Sequence, residues 1–320
     1  MKVFVTRDIP DVGINMLKKK GLHVNVWKED IPITQEELIH TLKKYDALLC
    51  MSIDKIDRHF LNECKHLKII SQFSAGYNNI DVEAARDLGI PLSYAPGAMN
   101  NATADVAFML MLGASRKMCF MHKTIIWDEW EYFTPKAHLG IELKSKTLGI
   151  FGLGKIGLEM ASRCKGAYEM DIIYCNRTTN ATAEKELHAR KVAFDELLTN
   201  SDVISVHSVL SSETKGKFNA EAFAKMKKTA LFINTSRGQL HNEKDLVEAL
   251  KNNVIWGAGL DVANPEPMKP DNPLLYMENV AITPHIGSAT IEARNQMSRL
   301  AALNIIEFAK GNEIPNRIVQ

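Results

Sequence analysis

The residues best suited to chemistry begin with a set of glycines. Gly152-Leu-Gly-Lys-Ile-Gly157 follows the apolar, β-branched run Thr147–Phe151, and a helical pattern starts at once behind it. In such a segment Gly152 permits a tight turn, Gly154 lets a phosphate approach the backbone, and Gly157 lets the helix lie close on the strand. With Leu153, Lys155 and Ile156 between them, these glycines present the unpaired N–H groups and positive dipole end of a helix N-terminus, a site for a dinucleotide pyrophosphate. About 20 residues further on, an acid would hydrogen-bond the ribose of NAD and repel a 2′-phosphate. The chain has Asn176-Arg-Thr-Thr179 there and no acid. Arg177 can donate a planar fork to a phosphate, and Thr178 can add a hydroxyl. This predicts NADP(H) as the preferred cofactor, with NAD(H) possible. The competing reading makes Asn176 a turn former and Arg177 a solvated charge.

Three more polar residues stand at or just past the ends of apolar runs. They are Arg237 in Asn-Thr-Ser-Arg-Gly, Glu266 in Asn-Pro-Glu-Pro, and His285 in Thr-Pro-His-Ile-Gly. In an open α/β sheet, ligands bind beyond the carboxyl ends of the strands. Hydride transfer to a ketone needs a proton donor for the forming alkoxide, and histidine suits that. A carboxylate beside the histidine orients it and favours its charged form. An arginine matches a substrate carboxylate with two parallel donors. Singly, each has an ordinary reading as a turn arginine, a loop glutamate or a backbone-bonded histidine. Behind a nucleotide fingerprint, the three together predict a catalytic group.

The elements that would position these residues follow from the pattern of apolar runs. Strands are predicted at Lys2–Thr6, His23–Trp27, Asp46–Met51, Lys68–Gln72 and Ile90–Tyr94. A second series is predicted at Thr147–Phe151, Asp171–Cys175, Val203–His207, Ala230–Asn234, Ile255–Leu260 and Val280–Thr283. Helical patterns lie between them, so both halves read as parallel sheets covered by helices. Thr34 and Glu37 form a predicted capping box, and Asp81 a predicted N-cap. Residues 95–101 break the first series and mark a domain crossing. One long helix is predicted from Ala102 to Ile126, with Val106, Met109, Leu110 and Gly113 along one side. Trp127, Trp130, Tyr132 and Phe133 follow in a loop, where they suit a subunit interface or core packing within one subunit. A last helix is predicted over Ala289–Lys310.

Composition limits the function classes. The 320 residues suit two domains, and a net charge of +1 gives no support for a nucleic-acid or anionic-membrane surface. No apolar run approaches the ~20 residues of a membrane span. The five cysteines are scattered without metal-ligand spacing, and no metal site is predicted. They read as reduced thiols, and with an N-terminus that begins as a strand they predict a cytoplasmic protein.

The chain resembles the D-isomer-specific 2-hydroxyacid dehydrogenases, and within them the glyoxylate/hydroxypyruvate reductases. The resemblance rests on Ser74-Ala-Gly-Tyr-Asn-Asn-Ile-Asp81, Asn101-Ala-Thr-Ala-Asp-Val-Ala107, Gly152–Gly157, Asn234-Thr-Ser-Arg-Gly238, Gly259-Leu-Asp-Val262, Pro265-Glu-Pro267 and Pro284-His-Ile-Gly287, in that order. It implies an α/β protein of two doubly wound parallel-sheet domains. A Rossmann nucleotide-binding domain (100–286) would be inserted into a flavodoxin-like substrate domain (1–99, with 287–320 returning to it). It implies that Arg237 holds the substrate's carboxylate and carbonyl oxygen, that His285 is the acid/base, and that Glu266 is its partner. Backbone at Ala75 and Gly76 would bind the substrate carboxylate. Thr103 would contact cofactor phosphate, Thr235 and Asp261 would lie near the nicotinamide, and Gly287 would join the cofactor contacts. The expected substrate is a small 2-oxoacid, glyoxylate or hydroxypyruvate, reduced to the D-2-hydroxyacid by a homodimer. Alternatives are a D-lactate or 2-ketogluconate type reductase, or a nucleotide-sensing corepressor-like protein. Two positions depart from the family pattern. Val209 stands where many members have proline, in a cofactor loop, and Asn176 replaces the usual aspartate.

Overall fold

The structure is a computed structural model and describes residues 1–318. The chain divides into two units, Met1–Met99 with Ser288–Gln320, and Asn100–Gly287. Gly287 thus falls with the middle of the chain. The last two residues of the predicted 287–320 return lie outside the described residues.

In the first unit the short apolar runs become β1 (Lys2–Val5), β2 (His23–Val26), β3 (Ala47–Cys50), β4 (Ile69–Gln72) and β5 (Leu92–Ser93). They form a five-stranded parallel sheet in the order β2-β1-β3-β4-β5, the flavodoxin-like arrangement. β3 and β4 are buried throughout, which explains the continuous apolar run of β3, while β4 ends in the buried polar pair Ser71 and Gln72. Thr34 and Glu37 cap the helix Gln35–Leu42 reciprocally, and Asp81 accepts the Ala84 N–H at 2.8 Å. The helix Ile291–Ala309 belongs to this unit and packs on it through small residues. Ser298 Oγ accepts from Gly13 N (3.1 Å) and donates to the Pro10 carbonyl (2.6 Å), and Ser71 Oγ donates to the Ala301 carbonyl (3.0 Å). A side chain at Gly13 would collide with the Ser298 carbonyl, so the close approach requires glycine.

The second unit carries β6 (Thr147–Phe151), β7 (Asp171–Cys175), β8 (Arg190–Lys191), β9 (Val203–Val206), β10 (Leu231–Asn234), β11 (Gly257–Leu260) and β12 (Val280–Ile282). All pair in parallel, in the order β12-β11-β10-β9-β6-β7-β8. The order reverses between β6 and β9, the switch point of a Rossmann sheet. Aromatic side chains fill the layer on one side of these strands, with Phe218 within 5.5 Å of Phe151, Phe194 and Phe232 by ring centroids. β8 was not predicted. It is two exposed charged residues at the sheet edge, without the apolar signal of a strand.

The predicted single helix Ala102–Ile126 is two helices, Asn100–Ser115 and Met118–Ile126. Lys117 between them adopts a left-handed backbone (φ 55°), and the Ser115 carbonyl turns out of the ladder to accept from Ile141 N at 3.0 Å. Lys117 Nζ pairs with Glu278 at 3.0 Å, which ties the break to the loop before β12. Val106, Leu110 and Gly113 are buried as expected, but Met109 is exposed. Trp130, Tyr132 and Phe133 stand 73%, 74% and 86% exposed, so core packing within one subunit does not account for them.

Candidate active site

Each glycine of the β6 turn meets a different constraint. Gly152 has φ +94°, and a Cβ there would lie 2.6 Å from Ser208 N. Gly154 faces open space, where an anion can reach its backbone. A Cβ on Gly157 would press within 3.1 Å of both the Gly152 carbonyl and Ile150, so its absence sets the helix Lys155–Tyr168 close on β6. That helix has no side-chain N-cap. Its first N–H groups are therefore available to a ligand, the requirement for phosphate binding.

Asn176, at the end of β7, faces inward. Its Oδ1 accepts from Leu153 N at 2.6 Å, its Nδ2 donates to the Leu153 carbonyl at 3.1 Å, and Asn180 Nδ2 donates to the same carbonyl at 3.0 Å. The two asparagines hold the middle of the glycine turn. Arg177 and Thr178 are exposed beside them, and among the described residues the Arg177 guanidinium makes no hydrogen bond or ion pair.

The turn after β10 is built by Asn234. It is fully buried, donates to the Arg237 carbonyl at 2.9 Å and accepts from Ser236 N at 3.0 Å. His241 Nδ1 lies 3.1 Å from the same amide, and burial lowers this histidine to about 4, so it is a neutral acceptor there. Gly238 packs directly on the Ala263 carbonyl, where any side chain would overlap it. This contact sets the Arg237 turn beside the turn that carries Glu266.

Glu266 Oε1 accepts from Ala263 N at 2.8 Å, and Glu266 Oε2 lies 3.0 Å from His285 Nδ1. Burial pushes the Glu266 carboxyl up, but the bonds from His285 and Ala263, with the charge of Arg237, hold it below the usual carboxylate range. Arg237 is mostly enclosed. Burial lowers its basicity and Glu266 opposes that, leaving it a cation with Nη1 on the Ser236 carbonyl at 2.7 Å. His285 sits at φ 55° and is half exposed. With Nδ1 turned to Glu266, its Nε2 is the nitrogen directed away from that partner.

Asp261 is engaged within the fold. Its carboxylate is 1% exposed and accepts from Thr283 Oγ1 (2.7 Å), Ile286 N (2.8 Å) and Gly287 N (2.8 Å). Thr103 Oγ1 donates to the Gly287 carbonyl at 2.8 Å. Both residues pin the segment that carries His285. Thr235 differs, because among the described residues its buried hydroxyl has no partner at the carboxyl end of β10. An orphaned hydroxyl, an open glycine cradle and an uncapped helix together fit a dinucleotide cofactor.

Ala75 and Gly76 lie in the first unit, in the loop after β4. There Gln72 Nε2 reaches Ser74 Oγ (3.0 Å), the Gly76 carbonyl (3.2 Å) and Asn79 Oδ1 (2.9 Å). Ser74, Gly76 and Asn79 belong to the Ser74–Asp81 motif, whereas Gln72 lies before it and the positioning role of Asn234 has no mark in its own motif. A buried polar residue at a strand end was the available signal. Among the described residues no group of His, Cys, Asp and Glu could hold a metal, and no helix is long and apolar enough to cross a membrane. The cysteines are all free.

A paired histidine and glutamate beside an arginine, at the strand ends of a Rossmann sheet with a phosphate cradle, define a nucleotide-dependent oxidoreductase. Residues 108–287 match the family model described as D-isomer specific 2-hydroxyacid dehydrogenase, NAD binding domain, and the chain belongs to that family. It is thus an oxidoreductase of the 2-oxoacid reductase type. A glyoxylate reductase of Pyrococcus furiosus is 42% identical over 99% of this chain and 95% of its own length. The crystal structure of a glyoxylate reductase from Paecilomyes thermophila is 34% identical, with a TM-score of 0.89 over 99% of this chain and 98% of that one. An NADPH-dependent glyoxylate/hydroxypyruvate reductase of Sinorhizobium meliloti, solved with NADP and malonate, is 25% identical with a TM-score of 0.85 over 99% and 96%.

Proposed function

We propose that this protein reduces glyoxylate or hydroxypyruvate to the D-2-hydroxyacid and prefers NADPH to NADH. The observation that carries the reading is the His285 Nδ1–Glu266 Oε2 contact of 3.0 Å beside the enclosed Arg237. When bound, the nicotinamide would supply the hydride for the keto carbon. Arg237 aligns the 2-oxoacid by donating to its carboxylate and carbonyl oxygen. Glu266 fixes the imidazole through Nδ1, which leaves Nε2 as the nitrogen that delivers a proton to the forming alkoxide. Gly152, Leu153, Gly154, Lys155, Ile156 and Gly157 would hold the pyrophosphate. Thr235, with its unpaired hydroxyl, would face the nicotinamide end, and Arg177 and Thr178 the 2′-phosphate. Thr103, Asp261 and Gly287 shape the His285 segment, and Asn176 the glycine turn.

The carboxylate-binding role of Ala75 and Gly76 rests on the family resemblance. The exposed aromatics after Trp127 support a homodimer, and five free thiols support a cytoplasmic setting. Steady-state rates with glyoxylate, hydroxypyruvate, pyruvate and 2-ketogluconate, each with NADPH and NADH, test the reading. The highest kcat/KM should belong to glyoxylate or hydroxypyruvate with NADPH. A clear preference for pyruvate or 2-ketogluconate, or for NADH, would refute it.

A further inference from the structure

Asn176 spends both ends of its amide on Leu153, so discrimination of the cofactor's adenosine end falls to the side chains around it. The 2′-position of a dinucleotide lies against the end of the strand that follows the glycine turn, here β7. β8 pairs with β7 so that Lys191 is opposite Tyr174, one residue before Cys175. From that register Lys191 Nζ reaches the Arg177 carbonyl at 3.1 Å. The lysine is therefore anchored on the backbone of the very residue expected to meet a 2′-phosphate.

The charges around it are unequal. Successive strand residues face opposite sides, and the neighbour Arg190 is neutralised by Glu196 at 2.5 Å. Among the described residues neither Lys191 nor Arg177 has a carboxylate partner. The nearby Glu184 is taken up by the Tyr174 hydroxyl at 2.7 Å. Burial pushes the Cys175 thiol up while Lys217 and Lys191 draw it back, which places both lysines close to the end of β7. The result is a corner with two cations, Lys191 and Arg177, neither of which is paired with a carboxylate among the described residues.

We propose that Lys191 is a specificity-determining residue for the 2′-phosphate of NADP(H), acting together with Arg177. β8 then has a purpose beyond edge pairing: two residues suffice to carry one lysine to the end of β7. The inference rests on the NADPH-preferring reading above.

The test is equilibrium binding of NADPH and NADH to wild type, Lys191→Gln, Lys191→Arg, Arg177→Ala and the double variant Lys191→Gln/Arg177→Ala. A charge-assisted bond is worth roughly 10–150-fold, and exposure puts Lys191 at the low end, so Lys191→Gln should weaken NADPH about 10-fold. NADH binding should stay within about 2-fold, and Lys191→Arg should recover most of the loss. The NADPH affinity should also fall less steeply with salt in Lys191→Gln, as one cation fewer meets the phosphate. If Arg177→Ala weakens NADPH selectively while Lys191→Gln leaves it unchanged, or weakens both cofactors equally, the assignment of Lys191 is overturned. If none of the variants separates NADPH from NADH, the NADPH-preferring reading itself fails, and the role of Lys191 with it.

Discussion

At Glu266 a single carboxylate serves two masters, the Ala263 N–H and the His285 imidazole. Removing His285 deletes a hydrogen bond and a charge interaction that lower the Glu266 carboxyl, and leaves the burial that raises it. In His285→Ala the carboxyl should therefore titrate at higher pH than in wild type, measured by carbon-13 NMR. An unchanged titration would show that the two side chains are not coupled. Arg237 makes a different demand. Arg237→Lys keeps the charge but loses the two parallel donors, and a misaligned ketone reacts slowly, by about 10²-fold in kcat. Near-wild-type turnover at saturating substrate would remove Arg237 from its assigned role. The types of these residues were legible in the sequence because a cation, an acid and an imidazole followed successive strands. The work of Asp261 was not legible, because its acceptors' partners are a hydroxyl and two backbone N–H groups more than twenty residues away.

Elements bring these residues together through contacts that only small side chains allow. Gly238 touches the Ala263 carbonyl and so holds the Arg237 turn against the Glu266 turn. Gly238→Ala must push the two turns apart, at a cost of about 1–3 kcal/mol in stability. The thermal midpoint should drop, and kcat should fall further than the loss of folded protein explains. If Gly238→Ala kept full kcat and the same midpoint, the contact would not set the site. The strands were readable because parallel strands buried on both faces are mostly apolar runs, continuous in β3 and with a single polar residue each in β9 and β10. The break at Lys117 was not, because no glycine or proline announces it and its cause is the pairing of Ser115 with Ile141 and of Lys117 with Glu278. The inward turn of Asn176 was equally hidden, since an asparagine at a strand end can clamp a loop or face a ligand, and only the Leu153 contacts decide it.

On the scale of the whole molecule, the chain completes five strands, passes at Asn100 into a seven-stranded unit, and returns at Ser288 with a helix that packs on the first sheet. The cofactor cradle, the Arg237 turn and the Glu266–His285 pair all belong to the middle unit, at the carboxyl ends of β6, β10, β11 and β12. In the proposed reaction this unit positions His285 as the proton donor for reduction of a 2-oxoacid. The most direct test is turnover of glyoxylate and hydroxypyruvate with NADPH by wild type and by His285→Ala, with NADPH affinity measured on both. Wild type should turn over. The variant should bind NADPH normally and lose ~10²–10⁴-fold in kcat, the usual contribution of a positioned acid. A variant that retains the wild-type rate, or a wild type that oxidises NADPH with neither acid, would contradict the account.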